Sequence, residues 1–401
     1  MRIILNQMIS VTEAIEIIRN NTTLLKPIKL PLTNAAGKML AEDIFSSIDS
    51  PSFLQSSMDG YAFCFDDWKK NKTLILDGVI EAGNTNPVKL LPGKAIRIFT
   101  GAPLPQGADT VVMQEKVSIK HDELVIEDDE LHKEKNVRLK GADIKVGDLA
   151  LAKESLLTPA AIAFLAGLGK TEVSVIPDPV FSIIVTGNEL QKPGNKLEYG
   201  QVYESSSYFL IAALQQVTKE EVKIFYCIDD LDNTISTLQM ALEDSHIVLL
   251  TGGISVGDYD FVLRAAECCG VTKLFHKIKQ RPGKPVFLGK KNEQLVFGLP
   301  GNPSSVLTCF YEYVLLATSL MTGRKLSLKT MNAPLANAFN KKTMLTHFLK
   351  GYYNDGEVTV LEAQESFRLS SFARANCLIK IDENITECTK GTMVEIHLLP
   401  I

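Results

Sequence analysis

The stretch HIVLLTGGISVGDYD, residues 246–260, places a short apolar run directly before a glycine-rich loop. We interpret residues 246–250 as a buried β-strand that ends where the loop begins. Gly252 and Gly253 let the loop backbone approach an anion closely, and Ser255 adds a hydroxyl group. The loop lacks the G-x-x-x-x-G-K-[ST] spacing of a P-loop, so the pattern indicates a phosphate site of another kind.

Similar apolar runs flank this stretch and alternate with segments of helical spacing. Strands are predicted at residues 181–185, 222–228, 246–250, 273–278 and 295–299, and helices near 208–216, 234–242, 261–268 and 304–321. Gly323 suits the left-handed residue that ends the last of these helices. Such βαβ alternation predicts a central α/β domain with a mostly parallel sheet.

Acidic residues follow the ends of three predicted strands. They are Glu189 in TGNEL, Asp229 and Asp230 after the second strand, and Asp260 at the end of the glycine-rich loop. Taken singly, Asp229, Asp230 and Asp260 are more simply interpreted as helix N-caps. The carboxyl ends of parallel strands share one edge, however, and ligands bind at that edge. Gathered there beside a phosphate site, Glu189, Asp229 and Asp260 predict bound Mg²⁺.

The segment KIKQRPGKP, residues 277–285, supplies cations after the fourth predicted strand: Lys277, Arg281 and Lys284. Arginine can bind a tetrahedral oxyanion with two N–H donors, and lysine adds positive charge. A solvated basic loop is the simpler alternative, but the prolines on both sides of Gly283 favour a fixed loop. We therefore predict an anion-binding role for these side chains.

The turn LPGNPSS, residues 299–305, follows the last predicted strand of the central domain. Pro300 and Pro303 stiffen it around Gly301, which suits a ligand-binding turn. Its simpler interpretation is an ordinary strand-to-helix connection with Ser304 as the helix N-cap.

Three further motifs lie before the central domain. SSMDGYA contains Asp59, TGAPLPQGADTVV contains Thr100 and Asp109, and KGADIKVGD contains Asp143. Taken alone, each is typical of a turn built on glycine or proline.

The periodicity of the chain changes along its length. A capping box at Ser10 and Glu13 opens a helix predicted to end near Asn20, and residues 159–169 are again helical in spacing. Short β-like runs lie between them, with a hairpin turn predicted at residues 120–123. These changes predict a discontinuous α-rich domain (1–44 and 144–177), an inserted small β domain (45–143), the α/β domain (178–326) and a C-terminal β domain (327–401).

The composition excludes several classes of protein. With 401 residues and a net charge of -5, the chain has no basic segment long enough to bind nucleic acid. We see no secretory signal and no apolar stretch of membrane-spanning length, so we expect a cytoplasmic protein without a membrane partner. The seven cysteines lack C-x-x-C spacing, which favours free thiols over disulfides or a zinc ribbon.

Eight motifs occur in the order used by the molybdopterin molybdenumtransferases, bacterial MoeA and the gephyrin E domain, a family that the chain resembles over most of its length. They are SSMDGYA, TGAPLPQGADTVVMQE, KGADIKVGD, TGNEL, TGGISVGDYDF, RPGKP, LPGNPSS and SSFARANCLI. The resemblance implies four subdomains, among them an α/β domain similar to the molybdopterin adenylyltransferases (MoaB and MogA) and a small C-terminal β-barrel. It also implies an elongated homodimer that inserts molybdate into adenylylated molybdopterin and releases AMP with the help of Mg²⁺.

The resemblance also implies roles for individual residues. The expected catalytic residues are Asp59, Thr100, Asp143, Glu189, Asp229 and Asp260. The expected cofactor-binding residues are Gly252, Gly253, Ser255, Lys277, Arg281, Lys284, Pro300, Pro303, Lys350 and Ser371, with Ser370 as an alternative to Ser371. Lys350 stands where some members have arginine and lacks its forked donors, and Asn188 stands where aspartate is common.

These roles imply a mechanism of positioning and charge neutralisation. We expect Glu189, Asp229 and Asp260 to hold Mg²⁺ at the pyrophosphate. We expect Lys277, Arg281 and Lys350 to hold molybdate near the pterin dithiolene. The family's dimer implies that Asp59 and Thr100 complete the cleft across a subunit boundary.

Two other functions remain open at this point. A molybdopterin adenylyltransferase would consume ATP, and a non-catalytic scaffold of the gephyrin E type would bind a partner protein. A molybdopterin adenylyltransferase is also an expected partner of the chain. Tungstate is an alternative substrate because it nearly matches molybdate in size and charge.

Overall fold

The computed structural model describes residues 8–254 and 261–400. Internal contacts divide the chain into two compact units. The first contains the chain up to Ile28 and from Val175 onward, and the second contains Lys29–Ser174.

The two predicted helices outside the central domain lie in different units. The helix Val11–Asn21 buries Val11, Ala14 and Ile18 in the core of the first unit, and its predicted capping box between Ser10 and Glu13 is confirmed. The helix Pro159–Gly167 belongs to the second unit. The units therefore divide the chain differently from the four predicted domains, and the four-part division stays a prediction.

A six-stranded sheet forms the centre of the first unit. Its strands, in spatial order, are Lys223–Cys227, Phe181–Thr186, Ile247–Thr251, Gln294–Leu299, Phe287–Lys291 and Thr272–His276. The first four are parallel, and Phe287–Lys291 runs antiparallel to both of its neighbours. The mostly parallel sheet is confirmed, and the reversed strand is one that the sequence analysis missed.

Helices cover both faces of this sheet. They are Ser206–Leu214, Leu231–Asp244, Phe261–Cys268 and Pro303–Cys309, the last of which continues through a π-helical turn, Phe310–Val314, into Leu315–Thr322. Gly323 ends this helix at a φ of 69°, as predicted. The span Pro303–Thr322 is long and apolar enough to cross a membrane, but 72% of its most apolar part is buried inside the protein, as expected for a core helix.

The first unit also contains a smaller β structure. Its strands are Lys329–Pro334, Thr346–Asn354, Glu357–Val360, Cys377–Ile381 and Met393–Leu398, with Gln280–Arg281 paired at the edge of Thr346–Asn354. The strand Glu357–Val360 pairs with Thr346–Asn354, and a bridge between Val358 and Leu335 connects it to the end of Lys329–Pro334. The strands therefore close on themselves around an apolar core.

A second six-stranded sheet lies in the second unit. Its spatial order is Thr110–Met113, Gly60–Phe63, Lys94–Ile98, Thr73–Ile80, Glu123–Ile126 and Val117–Lys120. The predicted hairpin turn is confirmed, with φ values of 49° at His121 and 62° at Asp122. This unit also contains the helix Phe65–Asn71 and most residues of a small sheet of Ile28–Pro31, Glu172–Ile176 and Met39–Leu40.

The interpretation of SSMDGYA as only a turn was wrong, because Gly60–Phe63 lies between two strands of the sheet. A Cβ atom on Gly60 would lie 1.8 Å from the carbonyl oxygen of Val112. Glycine here therefore permits the close approach of a neighbouring strand, not a tight turn.

Candidate functional site

Three strand ends of the first unit meet at the glycine-rich loop. The N–H group of Gly252 donates to the carbonyl of Leu299 at 3.2 Å. A Cβ atom on Gly252 would lie 2.7 Å from the carbonyl oxygen of Thr186, and one on Gly301 would lie 3.8 Å from the Cα atom of Gly252. The ends of strands Phe181–Thr186, Ile247–Thr251 and Gln294–Leu299 are therefore packed together at one edge, as the sequence predicts.

The end of the remaining parallel strand, Lys223–Cys227, is connected to this group by Asn188. Its side-chain oxygen accepts the N–H group of Asp229 at 3.2 Å. The carboxylate of Asp230 accepts from the N–H group of Asn233 at 2.9 Å and caps the helix Leu231–Asp244. The cap interpretation is thus correct for Asp230, and Asp229 is a half-buried acid at the strand end. Burial, together with the charge of Asp229, raises the pKa of Cys227 to about 11.

Glu189 lies over the end of the strand Phe181–Thr186. A Cβ atom on Gly187 would lie 2.9 Å from Oε2 of Glu189, so the carboxylate folds back across that glycine while the residue stays exposed. The backbone carbonyl of Glu189 accepts from Val202 at 2.9 Å. This bond fixes the backbone from which the carboxylate projects.

The predicted metal ligands are only partly described. Glu189 and Asp229 lie at the strand ends, whereas Asp260 and Ser255 lie outside the described residues. Within residues 8–254 and 261–400, no group of three acidic, histidine or cysteine side chains could hold a metal ion. One or two carboxylates are compatible with Mg²⁺, because this ion commonly keeps water ligands and binds substrate phosphates.

The RPGKP loop is fixed against the long helix by a buried polar contact. Gln280 is fully buried, and its Nε2 atom donates to the carbonyl of Pro282 at 2.9 Å. The Tyr313 hydroxyl donates to the Oε1 atom of Gln280. A Cβ atom on Gly283 would lie 2.5 Å from the sulfur of Cys309, so the loop backbone also touches the helix.

The three cations of this loop therefore project from a fixed backbone. Arg281 and Lys284 are exposed, and Lys277 is half-buried with a φ of 73°. Gln280 and Tyr313, which hold the loop, were not among the predicted site residues. Their separation of 33 residues in the chain hides the contact.

The LPGNPSS turn begins the long helix. Ser304 was expected to be the N-cap of this helix, but it is not. Asn302 occupies that position and Pro303 is the first helical residue. Proline favours this place because its fixed φ is helical and its missing N–H group is not needed there. The Ser304 hydroxyl donates instead to the carbonyl of Arg368 at 2.9 Å.

Lys350 and Ser371 are buried. The ammonium of Lys350 donates to three backbone carbonyls, of Ala363 at 2.7 Å, Glu365 at 3.2 Å and Arg368 at 3.1 Å. The hydroxyl of Ser371 donates to Ala363 at 2.8 Å. An ammonium has three N–H donors, so this arrangement uses all of those of Lys350. Burial lowers the pKa of Lys350.

In the second unit, Asp59 and Thr100 form a direct contact. The N–H group of Thr100 donates to Oδ1 of Asp59 at 2.7 Å, and both residues are exposed. The backbone N–H and side chain of Thr100 lower the pKa of Asp59, and the charge of Arg97 lowers it further. Asp59 is therefore an ionised acid held on the turn that contains Thr100.

Asp143 lies in a cavity of about 680 Å³ within the second unit, beside Arg138 and Gln55. The Nη1 atom of Arg138 donates to Oε1 of Gln55 at 3.2 Å, and Nε2 of Gln55 donates to the carbonyl of Gly101 at 3.0 Å. Gln55 thus connects the cavity to the turn after Thr100. Gln55 and Arg138 were not among the predicted site residues, although Arg138 is a cation only five residues before the candidate acid Asp143.

Glycine and proline turns that converge at the edge of an α/β sheet, with exposed cations and acids beside them, define an α/β protein with a candidate anion-binding site. Residues 182–318 match the family described as "Probable molybdopterin binding domain". Residues 9–169 match the "MoeA N-terminal region (domain I and II)" and residues 332–399 the "MoeA C-terminal region (domain IV)".

Full-length relatives agree with these matches. The chain is 32% identical to the molybdopterin molybdenumtransferase of Haemophilus influenzae over 92% of this chain and 94% of that protein. It is 33% identical to the molybdopterin molybdenumtransferase of Staphylococcus aureus over 97% of this chain and 95% of that protein. The chain belongs to the molybdopterin molybdenumtransferase family. The names of these relatives support the molybdenumtransferase interpretation and neither of its two alternatives.

The fold is also that of a solved relative. Two crystal structures of the molybdopterin biosynthesis MoeA protein from Pyrococcus horikoshii are 28% identical to the chain and cover 98% of it, with TM-scores of 0.83 and 0.77. The matches cover 99% and 100% of those chains.

Proposed function

We propose that the protein inserts molybdate into adenylylated molybdopterin and releases AMP in a reaction that requires Mg²⁺. The convergence of Gly252 with Thr186, Leu299 and Gly301 carries this proposal. It builds an edge at which backbone groups can approach a pyrophosphate closely. Acids and cations at the same edge supply both kinds of charge that the reaction needs.

The roles divide by charge. Glu189 and Asp229, with Asp260 from the loop, would hold Mg²⁺, which supplies charge neutralisation at the pyrophosphate when bound. Lys277, Arg281 and Lys284 would bind oxyanion groups, and the buried Gln280 contact would keep their backbone in place before substrate arrives. Donors fixed in advance stabilise developing charge without the cost of reorganising at the moment of reaction.

AMP release tests the proposal directly. Purified protein would be incubated with adenylylated molybdopterin, Mg²⁺ and either molybdate, tungstate or no oxyanion. Release that depends on molybdate supports the proposed reaction, and release with tungstate alone identifies the other oxyanion as substrate. A parallel reaction would contain molybdopterin and ATP in place of the adenylylated substrate. Consumption of ATP there, with no oxyanion-dependent AMP release in the first reaction, would overturn the proposal.

The adjacent acids Asp229 and Asp230 provide a matched pair for the metal role. Asp229→Asn should lower the rate of AMP release by about tenfold or more and raise the Mg²⁺ concentration that gives the half-maximal rate, because an amide is a poorer Mg²⁺ ligand than a carboxylate. Asp230→Asn should leave both nearly unchanged, because asparagine caps a helix about as well as aspartate. Equal losses in the two variants would argue against a metal role specific to Asp229. Titration of the rate with Mg²⁺ measures the difference.

Asp59 tests the contribution of the second unit. Asp59→Asn keeps an oxygen that can accept the N–H group of Thr100 but removes the negative charge. We expect turnover to fall by about tenfold or more while stability changes by less than about 0.5 kcal/mol, as is usual at exposed positions. Comparison of AMP release with thermal unfolding checks this, and a fully active variant would refute the role of Asp59.

We also propose that the protein is a cytoplasmic homodimer that receives its substrate from a molybdopterin adenylyltransferase. All three expectations follow from the family to which the chain belongs. Light scattering coupled to size-exclusion chromatography measures the mass of the assembly, and a monomer under assay conditions would contradict the dimer.

A further inference from the structure

A buried ammonium organises the segment of residues 361–371, which follows the strand Glu357–Val360. Lys350 is only 2% exposed, and its three N–H donors all bond to backbone carbonyls of this segment. A buried charge is costly unless its hydrogen bonds are complete. The segment therefore cannot leave Lys350 without exposing that ammonium to an unfavourable environment.

Additional bonds hold the same segment against the strand of Lys350. The backbone N–H group of Lys350 donates to Oε1 of Gln364 at 3.0 Å, and Nε2 of Gln364 donates back to the carbonyl of Lys350 at 2.8 Å. Ala363, whose carbonyl accepts from both Lys350 and Ser371, has a φ of 59°. This backbone conformation costs a non-glycine residue about 1–2 kcal/mol, so its bonds must hold it in place.

The segment also bonds the turn that begins the long helix. The backbone N–H group of Ser304 donates to the carbonyl of Ser366 at 3.1 Å, and the side chain of Asn302 donates to the hydroxyl of Ser366 at 3.0 Å. The carbonyl of Arg368 accepts from both Lys350 and the Ser304 hydroxyl. One carbonyl thus joins the buried ammonium to the turn of Pro300 and Pro303.

We propose that Lys350 and Ser371 are positioning residues that hold the segment 361–371 as a clamp on the turn at Asn302–Ser304. This inference rests on the proposed function, because the clamp is proposed to fix the turn at Asn302–Ser304 for molybdate insertion. It replaces the expectation that Lys350 binds molybdate: the ammonium acts through the clamp and not on the oxyanion. Three carbonyls surround a compact ammonium, so arginine, with its planar fork, would restore the charge but only part of the arrangement.

Ser304→Ala and Lys350→Met test the clamp from its two ends. Ser304→Ala removes the hydrogen bond from the Ser304 hydroxyl to the carbonyl of Arg368. It leaves Lys350 and the exposed cations unchanged. We expect both variants to increase amide hydrogen exchange in residues 361–371, by about tenfold or more for Lys350→Met, because hydrogen bonds to a charged group are the stronger ones. Both should lower kcat for AMP release, and the double variant should lose less than the product of the two single losses. Lys350→Arg should recover part of the lost protection.

The kinetic split separates the clamp from direct binding. A clamp predicts similar KM values for molybdate in Ser304→Ala and Lys350→Met. A large increase of KM in Lys350→Met alone, with exchange in residues 361–371 unchanged, would overturn the proposal in favour of a direct ligand. Hydrogen exchange needs no substrate, so the clamp can hold even if the proposed reaction fails, and the two failures are distinguishable. If Lys350→Met does not fold, Lys350→Arg and Ser304→Ala still provide the comparison.

Discussion

Gly252→Ala is expected to reduce AMP release by about 100-fold, because a displacement of about 1 Å at a site that positions its substrate can cost that much. The added Cβ atom would lie 2.7 Å from the carbonyl oxygen and 2.8 Å from the hydroxyl of Thr186, which is itself buried. Residue 252 also has a φ of 89°, where alanine is strained. Strain and overpacking together should cost about 2–4 kcal/mol, and the strand ends must separate to relieve the clash.

Gly356→Ala is a matched control for this variant. Gly356 has a φ of 87°, but no heavy atom lies within 4 Å of its Cβ position. It should therefore show the backbone strain of about 1–2 kcal/mol without the clash, and it should keep its activity. Thermal unfolding and AMP release of both variants give the comparison. Wild-type activity in a folded Gly252→Ala protein would show that the close packing of the three turns is not needed.

The edge that Gly252 occupies could be predicted because its causes are local in sequence. The strands 181–186 and 247–251 are buried on both faces, so their sequences are nearly continuous apolar runs. Glycine and proline then mark where each run ends. Since parallel strands end at a common edge, the order of runs was enough to predict that the turns meet.

Other elements were missed because their signals are weak or distant. The strand Phe287–Lys291 pairs with its neighbour through a two-residue turn that begins at Asn292, with a φ of 53°, but the charged pair at 290–291 hides the strand character. The strand Gly60–Phe63 was missed because its first residue is the glycine of SSMDGYA, a sequence that is typical of a turn.

The position of Lys350 could not be predicted for a different reason. Its ammonium is satisfied by the carbonyls of residues 363–368, and no side-chain pattern encodes which backbone oxygens will surround a charge. A basic residue in a family motif therefore suggested a ligand, whereas the structure places it among backbone oxygens. For the same reason, Gln280 and Tyr313 became visible only when the fold brought them together.

His397 connects the C-terminal β structure to the long helix and should make that connection depend on pH. Its Nδ1 atom lies 2.7 Å from Oε1 of Glu312, in the π-helical turn, and its Nε2 atom lies 2.7 Å from Oε1 of Glu395. Neutral imidazole has one N–H group, so both carboxylates are satisfied only by the protonated ring. Burial lowers the pKa of His397, but the hydrogen bonds and charges of Glu312 and Glu395 outweigh it and raise the pKa overall. Lys380 also pairs with Glu395, at 3.4 Å.

The sign of the pH effect follows from the raised pKa. The stabilisation is complete below the ordinary histidine pKa of about 6.5 and is lost as the pH rises through the higher pKa of the folded state, by at most about 1.4 kcal/mol per pH unit. His276 and His347 act in the opposite sense, because burial lowers their pKa values to about 4. Their effect destabilises the folded state as the pH falls below about 6.5 and is small above about pH 7. Hydrogen exchange of the amides in Met393–Leu398 would measure the free energy of opening between pH 6 and 9.

His397→Gln should lower that free energy by about 3 kcal/mol at pH 6 and remove its dependence on pH, because the buried carboxylate of Glu312 loses its charged partner. His132→Gln is the control, since His132 is exposed and lies in the second unit. It should leave both the opening free energy and its pH profile unchanged. A pH profile that persists in His397→Gln would assign the titration to another group. If His397→Gln kept both the pH profile and the opening free energy of the wild-type protein, then Glu312 and Glu395 would not hold the strand through His397.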